Sequence, residues 1–307
     1  MVKSVHRWFK IYGLITSFGL LIVLLQGALV TKTGSAEGCG ATWPLCFGEV
    51  IPTSPALETI IEYSHRIVSG LVGALVIVLA LWAWKQLKHV REARFLSIMA
   101  VFLIIFQGLL GAGAVVFGQS KVILALHFGI SAMSFASVIL LVLLAFEDSS
   151  SKRIIAPKVT RAFKRYVLLV ITYCYAVIYS GAYVKHSNAT LACSGFPDCN
   201  GQWFPGLSGP VGAHYFHRVA GTILLIVLLI MLIWVIKQYR HEKVLLGASV
   251  VSVLLVIAQY ISGISVVFTQ NALAVGLLHA LIIALLFTTL CYMTMTLTRT
   301  SAQKNGS

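Results

Sequence analysis

An all-α integral membrane protein, with eight transmembrane helices set out as two tandem, pseudo-symmetric four-helix bundles, is predicted by three observations: apolar composition, a series of uncharged segments of bilayer length, and an internal repeat. Of 307 residues, 59% are hydrophobic and 10% charged, with mean hydropathy +0.92, whereas soluble domains carry about a quarter charged residues. A water-soluble fold is excluded. A hydrocarbon layer of ~30 Å takes about 20 helical residues to cross. Runs able to do so are Ile11–Thr31, Ile67–Trp84, Phe95–Ser120, Val122–Phe146, Tyr166–Val184 and Val219–Ile236. The stretch Val244–Thr298 is too long for one span, and Thr269, Gln270 and Asn271 divide it into two. A closed β-barrel would also satisfy its backbone in lipid, but barrel strands alternate in polarity, and runs such as Leu20–Leu25 do not.

The net charge of +14 invites a nucleic-acid partner, yet the placement of the basic residues points to the lipid bilayer and to no nucleic acid. Lys3, Arg7, Lys10, Lys85, Lys88, Arg91, Arg94, Lys152, Arg153, Lys158, Arg161, Lys164, Arg165, Lys237, Arg240, Lys243, Arg299 and Lys304 all fall on one side of the eight spans. Only Lys32, Arg66, Lys121, Lys185 and Arg218 fall on the other. The positive-inside rule then puts the N- and C-termini in the cytoplasm of a multi-pass protein of the cell membrane. The first apolar run follows a short basic segment without a small-residue cleavage signature, so it reads as a retained helix.

Internal similarity organises the rest. The segment Glu62-Tyr63-Ser64-His65-Arg66-Ile67-Val68-Ser69-Gly70 is echoed by His214-Tyr215-Phe216-His217-Arg218-Val219-Ala220-Gly221, with a shared His-Arg-x-x-x-Gly core. Gln107 precedes His127 by the same interval as Gln259 precedes His279, and His65–His127 matches His217–His279 in spacing. Gly27-Ala28 and Gly181-Ala182 stand upstream, each followed by a cysteine pair. Duplication accounts for this order. It predicts an N-terminal four-helix bundle over 1–148, a basic cytoplasmic linker over 149–165 and a C-terminal bundle over 166–307, the copies sharing one topology.

Ionisable side chains within a bilayer are costly and mark function. His65 and His217 are expected at the outer starts of the second and sixth helices, and His127 and His279 one and a half to two turns inside the fourth and eighth. His6, His89 and His241, in basic inner segments, read as solvated. Two imidazoles per bundle are too few for a structural zinc site. They suffice for haem, whose macrocycle leaves two axial iron positions, and bundle cores commonly hold cofactors. His65, His127, His217 and His279 are thus the candidate axial ligands. Gly108, Gly111 and Gly113 either make room for a flat ring or allow close helix packing. Arg66 and Arg218 pair with haem propionates or with lipid headgroups.

Cys39/Cys46 and Cys193/Cys199 lie in outer loops at spacings that suit local disulfides. A labile, redox role is open to Cys39–Cys46, while Cys174 and Cys291 read as packing residues inside helices. The halves differ where Glu62 is replaced by His214. A carboxylate three residues before His65 shares its helical face. It would take up protons or stabilise developing positive charge, or else it merely orients His65. On this ground the first half is the candidate for chemistry and the second for a permanently held electron-transfer haem.

The combination of Gly27-Ala28-Leu29-Val30-Thr31-Lys32-Thr33-Gly34-Ser35, Cys39-Gly40-Ala41-Thr42-Trp43-Pro44-Leu45-Cys46 and Glu62-Tyr63-Ser64-His65-Arg66 resembles the haem A synthases, specifically their short bacterial eight-helix form. The resemblance spans nearly the whole chain. It implies an oxidoreductase that converts the C8 methyl of haem O to a formyl group by successive hydroxylations and loss of water, supplying haem A to terminal oxidases. It further implies that Glu62, His65 and His127 serve the haem O substrate and that His217 and His279 hold a haem b cofactor. Expected partners are the haem O-producing membrane enzyme and an electron acceptor of unidentified kind. The second half departs from the pattern with His214-Tyr215 and with the loop Cys193-Ser194-Gly195-Phe196-Pro197-Asp198-Cys199, which weakens a redox role for its bridge. Two other classes fit the composition: a membrane di-haem b electron-transfer protein that modifies no porphyrin, and a repeat-built transporter. A transporter would place its site near the midplane, unlike these histidines.

Overall fold

Long apolar segments in a medium without water must satisfy their own backbone, and a helix does so within one segment. The computed structural model describes residues 7–53, 55–118, 120–149 and 155–299. Lys3, His6, Lys152, Arg153 and Lys304, read from the sequence as inner-side residues, lie outside them. Eight long helices are present among the described residues: α1 (Arg7–Thr33), α2 (Leu57–Gln86), α3 (Arg91–Val116), α4 (Lys121–Ser149), α5 (Arg161–His186), α6 (Gly209–Gln238), α7 (Lys243–Phe268) and α8 (Leu273–Thr298). All eight are long and apolar enough to span a bilayer.

The chain divides into two compact units between residues 152 and 153. In the first, α1 packs on α2 and α4, and α3 packs on α2 and α4. In the second, α5 packs on α6 and α8, and α7 on α6 and α8. Each unit is therefore a ring of four helices in which the even-numbered pair stands on a diagonal, as in an up-down-up-down bundle.

The repeat extends to side-chain packing. Phe9 and Trp82 meet edge-to-face at 5.4 Å, and so do Phe163 and Trp234. Beside each indole a tyrosine hydroxyl donates to a backbone carbonyl of the next helix, Tyr12 to Leu75 O at 3.1 Å and Tyr166 to Val227 O at 2.7 Å. A half-buried tyrosine favours a partnered hydroxyl, and both copies supply one at equivalent places. Large apolar side chains such as Phe102, Leu109, Ile226 and Ile233 remain exposed along the helices, as expected of surfaces that face lipid.

Several helix starts differ from the sequence expectation. The second and sixth helices start ten residues earlier than Ile67 and Val219, at Leu57 and Gly209. The uncharged-run criterion stops at Arg66 and Arg218, but both guanidiniums are hydrogen-bonded locally and do not interrupt the helix. The fifth helix starts at Arg161, ahead of Tyr166, because Thr160 caps it by accepting Phe163 N at 3.3 Å. The rest of the described linker is tied down within the second unit. Lys158 N donates to Glu242 Oε1 at 3.1 Å, and Arg299 Nη1 to Ile155 O at 2.9 Å.

Candidate paired-histidine sites and the loops above them

The earlier starts of α2 and α6 move His65 and His217 from helix ends to positions two turns inside. His65 lies eight positions beyond Leu57, and His217 eight beyond Gly209. His127 lies six beyond Lys121 and His279 six beyond Leu273. At about 1.5 Å per residue, the imidazoles stand about 12 Å along α2 and α6 and about 9 Å along α4 and α8, on the diagonal helices of each unit.

Each ring rests against a glycine of the helix before it. A Cβ at Gly27 of α1 would come 3.4 Å from His65 Cε1, and one at Gly111 of α3 would come 3.4 Å from His127 Cε1. In the second unit, a Cβ at Gly181 of α5 would come 2.8 Å from His217 Cε1, and one at Gly263 of α7 would come 3.2 Å from His279 Cε1. Of the three glycines singled out on α3, Gly111 alone meets one of the candidate imidazoles: nothing lies within 4 Å at Gly108, and Gly113 faces Phe117. The Gly263 shelf escaped the sequence reading. Its signal was the dipeptide Ser262-Gly263, which repeats Ser180-Gly181 on α5.

Polar partners of the rings differ between units. Ser180 Oγ and Ser262 Oγ lie 2.8 Å from the Nδ1 atoms of His217 and His279. Gln259 Nε2 is 3.0 Å from His279 Nε2. In the first unit, Ser69 Oγ is 3.4 Å from His65 Nδ1, and His127 Nδ1 is buried without a partner. Gln107 Oε1 is likewise buried and unpartnered.

These sites fit a macrocycle. Among the described residues no group of three or more His, Cys, Asp or Glu is placed to hold a bare metal ion. Two imidazoles complete a coordination sphere only where four further donors lie in a plane between them. The glycine shelves leave each ring the space that a side chain would fill.

Disulfides Cys39–Cys46 and Cys193–Cys199 close the α1–α2 and α5–α6 loops, with Cα–Cα distances of 4.6 and 4.7 Å. Arg66 and Arg218 fasten these loops to the helices that carry His65 and His217. Arg66 Nη1 donates to Thr42 O at 2.6 Å and Leu45 O at 3.0 Å, while Nε and Nη2 donate to Glu62 Oε1. Arg218 Nη1 donates to Gly195 O at 2.6 Å and Asp198 O at 3.0 Å, and Nη2 to Cys193 O at 2.9 Å. Its Nε lies 3.2 Å from His214 Nε2. A guanidinium has five N–H donors, so one N–H of each arginine is left for a propionate or a headgroup.

Glu62 is 4% exposed and faces the loop, not His65: its Oε2 accepts Cys39 N at 2.8 Å. His214 stands in the same place, with Cys193 N 3.3 Å from its Nδ1. A carboxylate accepts from both donors at once. A neutral imidazole has one acceptor nitrogen and serves one at a time. Among the histidines read as solvated, His89 Nε2 meets Asp148 Oδ1 at 2.6 Å and His241 Nε2 meets Glu242 Oε1 at 3.8 Å. Cys174 is buried and Cys291 partly so; neither forms a disulfide.

Fold and site together define a class: a multi-pass membrane protein built from two copies of a four-helix unit, each with an imidazole pair on diagonal helices beneath a disulfide-closed loop. The chain belongs to the haem A synthase family. The family model described as cytochrome oxidase assembly protein matches residues 10–291. Similar curated proteins, each named Heme A synthase, come from Alkalihalophilus pseudofirmus (75% identical over 96% of this chain and 99% of the relative) and Halalkalibacterium halodurans (64%, over 97% and 99%). A third, from Shouchella clausii, is 58% identical over 97% of this chain and 100% of the relative.

Proposed function

We propose that this chain is an oxidoreductase that converts the C8 methyl of haem O to a formyl group, giving haem A. The observation that carries the reading is the paired imidazoles: in both units they occupy diagonal helices at the same helical offsets, each ring on a glycine of the preceding helix. His65 and His127 hold the haem O substrate. His217 and His279 hold haem b, which when bound supplies a one-electron redox centre. The second unit's rings each have a serine hydroxyl 2.8 Å from Nδ1, whereas in the first unit the nearest serine is 3.4 Å from His65 Nδ1 and His127 meets the Gln107 backbone, a difference that suits a resident group in one and an exchanging substrate in the other.

Arg66 and Arg218 hold the disulfide loops across the ends of the bundles, each with one N–H free for a propionate. Glu62 joins the Cys39–Cys46 loop to the helix carrying His65, and its carboxylate is the group assigned to accept a proton there. The chain lies in the cell membrane with both termini cytoplasmic, and it works beside the membrane enzyme that makes haem O and an electron acceptor.

Expression beside a haem O producer tests this. The extracted pigment is expected to contain a formyl-bearing porphyrin; recovery of haem O alone would leave the chain a di-haem electron carrier. In the purified protein, His217→Ala or His279→Ala is expected to abolish the low-spin haem b spectrum. An unchanged spectrum would overturn the ligand assignment.

A further inference from the structure

We infer that Ser180 and Ser262 set the tautomer of His217 and His279, making the second unit a permanent holder of its haem, and that their absence from the first unit leaves its ligands able to release a porphyrin. The inference rests on the haem b reading above. An imidazole that ligates iron through Nε2 must carry its proton on Nδ1, and the partner of that N–H fixes ring orientation and ligand strength.

The hydrogen bonds of the two serines define which way the proton lies. Ser180 Oγ donates its own hydrogen to Val177 O at 2.8 Å, and Ser262 Oγ donates to Gln259 O at 2.9 Å. With that hydrogen committed, each oxygen is an acceptor toward the ring 2.8 Å away. The Nδ1 atoms of His217 and His279 are therefore the protonated nitrogens, and Nε2 keeps the lone pair. Gln259 agrees: its Nε2 amide is a donor, and it lies 3.0 Å from His279 Nε2.

Both serines directly precede the glycines on which the rings rest, so Ser180-Gly181 and Ser262-Gly263 shelve and orient a ring with two consecutive residues. The first unit keeps the glycines and lacks the serines. Gln26-Gly27 and Leu110-Gly111 occupy the matching places. Gln26 Oε1 is buried without a partner, and so is His127 Nδ1. His65 Nδ1 has only Ser69 Oγ at 3.4 Å, at the far edge of hydrogen-bond reach.

The experiment uses the full-length chain purified with its haem. The rate at which haem passes to excess apomyoglobin and the electron paramagnetic resonance of the low-spin ferric centre are measured for Ser180→Ala, Ser262→Ala, the matching Thr variants and Leu110→Ser. Loss of a second-sphere partner typically weakens a metal site ~10–100-fold, so each alanine variant is expected to release haem b at least about tenfold faster, with shifted g values. Threonine restores both. Leu110→Ser, which need not disturb the second unit, is expected to slow release of porphyrin from the first. Wild-type release rates and g values in both alanine variants, with a spectrum still lost in His217→Ala, would overturn this inference alone. An unchanged spectrum in His217→Ala would overturn the functional reading and this inference with it.

Discussion

Four glycines decide how much room four imidazoles have, and the distances rank them. A methyl at Gly181 would sit 2.8 Å from His217 Cε1, closer than real Cβ contacts come, whereas at Gly27 and Gly111 it would sit at 3.4 Å. Gly181→Ala is expected to remove most of the low-spin haem b absorption, Gly263→Ala to reduce it, and Gly27→Ala to leave it intact, as read from the spectrum of each purified variant. Glu62 poses a separate question, since its carboxylate is occupied by the Cys39 amide and by Arg66. Glu62→Ala and Glu62→Gln are expected to stop formyl production while sparing the haem b spectrum. Glu62→His, which gives the first unit the residue the second unit uses, separates the two roles. It keeps an acceptor for the loop and removes the carboxylate, so it is expected to be inactive; formyl product from it would reduce Glu62 to a fastener of the loop.

Helices α2 and α6 run beyond the apolar span because the N–H groups of their arginines find local acceptors, Glu62 and loop carbonyls for Arg66, and His214 and loop carbonyls for Arg218. The Arg66–Glu62 pair is nearly enclosed, its side chains 10% and 5% exposed, and breaking one partner of a buried pair costs about 3–5 kcal/mol. Holding both loop carbonyls through Nη1 while Nε and Nη2 hold Glu62 needs a planar fork, which lysine lacks. Arg66→Lys is therefore expected to fall close to Arg66→Ala, both exposing Cys39–Cys46 to reduction by dithiothreitol several-fold faster than in the parent protein. Equal rates in all three would show that the loop is held by other means. Thr160, one residue before α5, is expected to contribute about 1 kcal/mol as a cap, measurable as a lowered melting temperature in Thr160→Ala.

The two units repeat the same packing with different chemistry on it. Phe9–Trp82 and Phe163–Trp234 share distance and angle, so Trp82→Ala and Trp234→Ala are expected to destabilise their units by similar amounts, about 3–5 kcal/mol each, in detergent unfolding. The orientation proposed from the basic residues puts the α2–α3 connection on the cytoplasmic side. An impermeant maleimide is expected to label Lys88→Cys in inverted vesicles and not in intact cells, and labelling in intact cells would reverse the topology.

Segment count, duplication and the four histidines were all legible in one chain, because bilayer thickness imposes a length on each span and duplication repeats each chemical feature at a near-constant interval. Helix starts were not, since a rule that ends a span at Arg66 or Arg218 cannot see the carboxylate, the imidazole and the carbonyls that accept their N–H groups. The places of Arg66, Glu62 and His214 were also hidden. Their partners, such as Cys39 N and Thr42 O, are over twenty residues away in the chain and arrive only when the disulfide loop folds back on the helix. Which nitrogen of His217 and His279 carries the proton depends on a serine on another helix and on that serine's own carbonyl partner. Such a proton position is a property of packed helices, and linear spacing carries no record of it.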